Sequence, residues 1–75
     1  MKELVKTIAS ALVDHPEDVV VTETENENGI LVELRVAPDD MGKVIGKQGR
    51  IAKAIRTLMR AGAARENRKV AVEID

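Results

Sequence analysis

Apolar and polar positions follow two rhythms along this chain. Over residues 2–13, Leu4, Ile8, Ala11 and Leu12 recur at helical spacing, with Lys2, Glu3, Lys6 and Ser10 elsewhere. The pattern predicts an amphipathic helix with one buried stripe. It ends by Asp14-His15, because Pro16 biases the residue before it away from helix. Val19 to Glu25 is β-branched and alternating, which predicts a strand. Asn26-Glu27-Asn28-Gly29 reads as a turn. Ile30 to Ala37 reads as a second strand, with Ile30, Val32, Leu34 and Val36 on one face. A two-residue Asn28-Gly29 turn would set Glu23 and Glu25 opposite Leu34 and Val32, on the core face. A three-residue loop with Gly29 left-handed sets Val20, Thr22 and Thr24 there instead. The second register is expected, with Glu23 and Glu25 turned to solvent, where acids on an edge strand discourage sheet-to-sheet association.

Pro38-Asp39-Asp40 opens the next helix. Asp39 is a good N-cap and Asp40 suits the helix dipole. This helix is short, about residues 40–45, and Gly46 ends it. Residues 50 to about 64 then form the longest helix of the second half. On a helical wheel Ile51, Ile55 and Leu58 share one face with Gly62, and Arg50, Lys53, Arg56 and Arg60 lie roughly opposite. Ala52, Met59 and Ala63 form one apolar flank, Ala54 and Ala61 the other. A loop around Asn67 leads to a last strand, Val70-Ala71-Val72-Glu73-Ile74, with Val70, Val72 and Ile74 facing in. The order is α-β-β-α-α-β. The crossover of about thirty residues permits parallel pairing of the second and third strands, and such crossovers are right-handed. The expectation is one α+β domain over residues 1–75. Its three-stranded mixed sheet has the second strand central and three helices on one face.

Length adds one constraint. A chain of 75 residues buries only roughly 60% of the surface its unfolded form exposes, so help from a partner chain is plausible. There is no cysteine, hence no disulfide framework. The apolar residues near the start are interrupted by Lys6, Thr7 and Ser10, unlike a signal peptide. No run approaches a membrane span of roughly 20 apolar residues. A cytoplasmic location without membrane contact is the default expectation.

Charge is divided along the chain. Residues 1–41 carry three bases against ten acids, while residues 42–69 carry nine bases against Glu66 alone. Such asymmetry points to a polyanion on one side. Charged faces are often simply solvated, but here the basic block starts at the stretch Val44-Ile45-Gly46-Lys47-Gln48-Gly49-Arg50-Ile51. Gly46 and Gly49 lie three apart and punctuate a helical pattern. They predict a tight turn between two helices, with unpaired backbone N–H groups at the start of the second pointing into it. Lys47 and Arg50 add positive charge, and the glycines leave no Cβ to obstruct a phosphate. The turn is suited to holding a nucleic-acid backbone.

The stretch Met41 to Arg56, within this element order, resembles a KH domain of type II topology. The whole chain is similar to the small bacterial stand-alone KH-domain proteins, KhpA-like. The resemblance implies single-stranded RNA binding, with the turn clamping the backbone and bases in an apolar groove between the helices and the sheet. Gly46, Lys47, Gln48 and Gly49 match the clamp, and Val44, Ile45 and Ile55 match apolar positions of the motif. Ile45 and Ile55 can equally be plain core, and Gly42 can be a close helix contact or part of the groove. Helical geometry places Lys43, Arg50 and Lys53 to reach phosphates, and Arg56 continues that basic stripe. The common KH pattern has Ile three and six residues after the second glycine. Here Ala52 stands at position three, with Ile51 just before it and Ile55 at position six, which implies a differently shaped groove floor.

Other phosphate motifs fail. Gly42 and Gly46 are separated by three residues rather than the four of a Walker loop, and Lys47 is followed by Gln48. A Rossmann fingerprint would need glycine where Val44 stands. The lack of aromatic residues argues against an RRM or an OB-type stacking platform. No nucleophile–base set or metal cluster appears, so neither an enzyme nor a cofactor is expected. His15, the single histidine, reads as an exposed helix-end residue. Two functions stay open: an RNA-binding module, and a protein-interaction module that mainly dimerises. The resemblance implies that both can hold. By that resemblance the chain is expected to self-associate and to pair with a larger KH-containing RNA-binding protein, the Jag or EloR type. The resemblance also implies a chaperone-like RNA regulator in cell elongation, division and shape. The apolar arc on residues 51–63 suggests self-association through either alanine-rich flank, Ala52, Met59 and Ala63 or Ala54 and Ala61. High helix propensity of alanine is the competing explanation.

Overall fold

The computed structural model describes all 75 residues. Three strands, β1 (Val20–Asn26), β2 (Gly29–Arg35) and β3 (Val70–Ile74), form one sheet with β2 in the centre. β1 pairs with β2 antiparallel, and β3 pairs with β2 parallel. The helices are α1 (Lys2–Leu12), α2 (Met41–Ile45) and α3 (Arg50–Arg65). The architecture is α+β in the order α-β-β-α-α-β, with the three helices on one face, as the hydropathy pattern predicts.

The core between sheet and helices contains no aromatic ring. Val32 and Leu34 of β2 lie at its centre, with Val5 and Ala9 of α1, Val44 of α2, and Ile55 and Met59 of α3. Ala52 and Ala63 are also buried. Small side chains at these positions let α3 lie close to its neighbours, so a modest set of aliphatic groups can fill the interior at close-packed density.

The helix faces differ from those expected. In α1 the buried residues are Val5 and Ala9, with Ile8 partly buried, whereas Leu4, Ala11 and Leu12 are exposed. In α3 the inward face carries Ala52, Ile55, Met59 and Ala63, and Leu58 is 52% exposed. Both corrections have one physical cause. Each helix has apolar residues on adjacent wheel positions, so composition fits two orientations. The closer packing through Ala9, Ala52 and Ala63 selects one. The flank of Ala52, Met59 and Ala63 is therefore core in a single chain and cannot serve as a docking surface.

The hairpin register is also corrected. Asn26 pairs with Gly29, leaving Glu27-Asn28 as the turn, and Glu23 and Glu25 stand opposite Val32 and Ile30. The Asn26 Oδ1 accepts the Asn28 N–H at 2.8 Å, a side-chain-closed turn. Gly29 has φ +141°, and a Cβ there would stand 2.4 Å from the Lys69 carbonyl oxygen. That approach fixes the position of the turn against β3. The acids are tolerated on the helix-covered side because each meets a positive group. Glu23 Oε1 accepts the Lys2 N–H at 2.9 Å and lies 3.5 Å from the terminal ammonium, at the positive end of α1. Glu25 lies 3.8 Å from Arg68.

Before α2 the chain makes a single 3-10 turn, Pro38–Asp40. Asp40 does not cap the helix that follows it. It is wholly buried, and its two oxygens accept the backbone N–H groups of Asp14 at 3.1 Å and His15 at 3.0 Å. The start of α2 is thereby tied to the chain leaving α1.

Candidate nucleic-acid interface

α2 is barely longer than one turn, and its position is set at both ends. Val44 anchors it in the core and Asp40 ties its start to α1. Its last turn closes with the Gly46 N–H donating to the Gly42 carbonyl at 2.8 Å. Gly46 then takes φ +77° and ψ 173°, which turns the chain sharply away from the helix. Lys47–Gly49 form a single 3-10 turn, and α3 begins at Arg50. Gln48 has left-handed backbone, φ 59° and ψ 25°. For a residue with a Cβ this costs about 1 kcal/mol, a strain held by the two helices on either side.

The turn uses part of its own hydrogen-bonding capacity. The Gly49 N–H donates to the Gly46 carbonyl at 3.1 Å, and the Arg50 N–H to the Lys47 carbonyl. These two groups therefore do not point at a ligand, contrary to the expectation of free N–H groups at the start of the second helix. What the turn presents outward is side chain. Lys47 and Gln48 are exposed, and Arg50 Nη2 donates to Gln48 Oε1 at 3.2 Å. A guanidinium only donates, so the amide oxygen faces it and the Gln48 NH2 is turned away as a neutral donor.

Ile51 packs directly on Gly46, whose missing Cβ would stand 2.6 Å from Ile51 Cγ1. It stands one residue ahead of the isoleucine position of the common KH pattern, and it locks the turn from inside. Val44 and Ile55 are wholly or almost wholly buried, so they form the floor. Ile45 and Ile51 remain partly exposed and, with Ile74, pack against the core cluster. A Cβ on Gly42 would meet nothing within 4 Å, so no close helix contact requires that glycine.

The cations separate into two groups. Lys47, Arg50, Lys53 and Arg60 are exposed and take no part in any of the ion pairs, which involve the terminal ammonium, His15, Lys43 and Arg68. Lys43 and Arg56 behave differently from expectation. The Lys43 ammonium sits on the Asp14 carboxylate and lies 3.5 Å from Asp40 Oδ1. Its hydrogen bond to Asp14 holds its pKa above the ordinary lysine value. Arg56 is partly buried, and its Nε donates to the Val72 carbonyl at 3.2 Å, joining α3 to β3. One of the five Arg56 donors is thereby tied to the fold, while its guanidinium takes part in no ion pair.

Two residues that matter here were not singled out as site residues from sequence. From sequence Ile51 lies on one apolar face of the long helix and next to the altered position of the KH pattern, and nothing local signals that it packs on Gly46, five residues earlier. Asp40 looked like a helix-dipole acid, and nothing local signals that it reaches back 25 residues to His15.

A short helix, a Gly-x-x-Gly turn and a long helix, laid on a three-stranded mixed sheet in this order, define a type II KH domain. The chain belongs to the family described as "KhpA/KhpB, KH domain", whose model matches residues 2–74. It is similar over nearly its whole length to proteins named RNA-binding protein KhpA. Identity is 66% to that of Clostridium perfringens, over 99% of both chains. It is 64% to that of Caldanaerobacter subterraneus, again over 99% of both. It is 53% to that of Listeria monocytogenes, over 99% of this chain and 97% of the relative. No helix is long and apolar enough to cross a membrane.

Proposed function

We propose that the chain binds single-stranded RNA, with Gly46, Lys47, Gln48 and Gly49 as a backbone clamp. The observation that carries this reading is the exposed turn itself. Two packed helices hold it in strained backbone, and its outward side chains are a cation and a neutral donor. Arg50 and Lys53 extend the positive surface along α3. Phosphate contacts of this kind hold a strand without reading its sequence. Partly exposed Ile45 and Ile51 offer an aliphatic surface for bases beside the clamp, in keeping with a chain that has no aromatic stacking platform. The relatives' name supports the same reading.

A second activity is favoured by the exposed leucines. Leu4 of α1 is 48% and Leu58 of α3 52% exposed, and the two line one shallow depression with Met1 and Gly62, while Ala54 and Ala61 are exposed on α3 beside Leu58. A second copy, or a larger KH-containing RNA-binding protein of the Jag or EloR type, would cover that surface. Two clamps on one RNA would then raise avidity through effective concentration. The cellular setting would be post-transcriptional control of elongation and division.

The experiment is an amide-resolved NMR titration with a random-sequence pool of short single-stranded RNA. The reading expects the first and largest shifts at residues 46–50 and 53. Shifts confined to α1, or to the sheet face away from the helices, would reject the clamp. Concentration-dependent shifts without RNA at Ala54, Leu58 and Ala61 would locate self-association.

A further inference from the structure

Lys43 stands beside the clamp on α2 between two carboxylates of different character. Asp40 is wholly buried, and both its oxygens are committed to the backbone N–H groups of Asp14 and His15. It cannot leave. The Asp14 side chain is 72% exposed, and its carboxylate holds only the Lys43 ammonium. It can leave without breaking any backbone bond, because the Asp14 N–H stays on Asp40. One ammonium between two carboxylates also leaves this end of α2 with a net negative charge. Exposed Glu17 and Asp18 follow on the same loop.

We infer that Asp14 competes with nucleic-acid phosphate for Lys43, and so sets how tightly the start of α2, ahead of the clamp, holds RNA. The inference rests on the RNA-binding reading above. In the free protein the Asp14 carboxylate occupies the place a phosphate oxygen would take. An exposed ion pair is weak and readily exchanged. A phosphate that displaces Asp14 keeps Lys43 paired, but it must first overcome the local negative charge. Asp14 thus lowers affinity, and its effect is greatest at low ionic strength, where charges at this range are least screened.

The test is a titration of a labelled random-sequence single-stranded RNA pool at several salt concentrations. The proteins are the unmodified chain, Asp14→Asn, Glu17→Gln, Lys43→Met and Asp14→Asn/Lys43→Met. Asp14→Asn should bind roughly two- to fivefold tighter at low salt. Its salt slope should be steeper by up to about 0.7, because in the unmodified chain the carboxylate that Asp14 frees on RNA binding takes up a cation and offsets the ion released at the Lys43 contact. Glu17→Gln should gain less, and the double variant should lose the gain. Melting curves establish that Asp14→Asn is folded. Equal binding by Asp14→Asn and the unmodified chain overturns the inference. So does a gain that survives Lys43→Met or is matched by Glu17→Gln. No binding by any of the proteins overturns the RNA-binding reading, and this inference with it.

Discussion

Ile51 occupies the space that a Cβ on Gly46 would need, with its Cγ1 2.6 Å from that position. The turn and the first residues of α3 are therefore one packed unit. Gly46→Ala combines a left-handed φ of +77° with this overlap, and should destabilise the domain by roughly 1–3 kcal/mol. Denaturant unfolding measures the loss. In an Ile51→Ala background the overlaps with Cγ1 and Cδ1 disappear and only the 2.9 Å approach to Cβ remains, so the same substitution should cost less, a non-additive cycle. Additive losses would mean that the two residues are not coupled.

Gln48 stores strain that glycine would relieve. Gln48→Gly should stabilise the fold by about 0.5–1 kcal/mol, because its φ of 59° carries no penalty without a Cβ. The same variant removes the outward amide, so RNA affinity should fall while the melting temperature rises. Opposite movement of the two readouts distinguishes strain held for function from strain held by accident.

Arg56 and Lys53 are neighbours in the basic stripe but should respond differently. Arg56→Ala removes the donor to the Val72 carbonyl and the packing of its stem, and should cost about 1 kcal/mol. The salt slope of RNA binding should hardly change. Lys53→Ala should leave stability alone and flatten the slope by about 0.7. Thermal unfolding and salt-dependent titration, run on both, separate the roles.

Asp40 should govern the acid limb of stability. Burial works to raise its pKa, but the N–H groups of Asp14 and His15 and the Lys43 ammonium together hold it below its ordinary value of 3.8. A carboxyl depressed in the folded state contributes stability that is complete above its unfolded value. That contribution is lost as pH falls through the lower, folded value. Asp40→Asn should lower the melting temperature at neutral pH by roughly 5–10 °C. It should also flatten the fall in stability below about pH 4. An unchanged acid limb would mean that other carboxylates dominate it.

The element order, parallel crossover, central strand and glycine turn are all legible in the sequence, because periodicity and punctuation are local signals. Which side of a helix faces inward is less local. Leu58 and Met59 are consecutive, on neighbouring sides of one wide apolar arc, and close packing through Ala52 and Ala63 decides between them. The hairpin register depends on Gly29 meeting Lys69, forty residues away. The acids of β1 depend on α1 and Arg68. Lys43 and Arg56 show the same limit within the site. Each sits on the expected helix, but its partner, Asp14 or Val72, belongs to another element.

The account's central claim is that the outward side chains of the Gly46–Gly49 turn hold an RNA backbone. Lys47→Asp/Gln48→Asp tests it most directly, because both side chains are exposed and the new carboxylates repel phosphate without touching the core. The measurement is the affinity of this variant and the unmodified chain for the same random-sequence single-stranded RNA pool at fixed salt, with folding checked by thermal unfolding. The account predicts a folded variant whose RNA binding is abolished. A folded variant with unchanged affinity would contradict it.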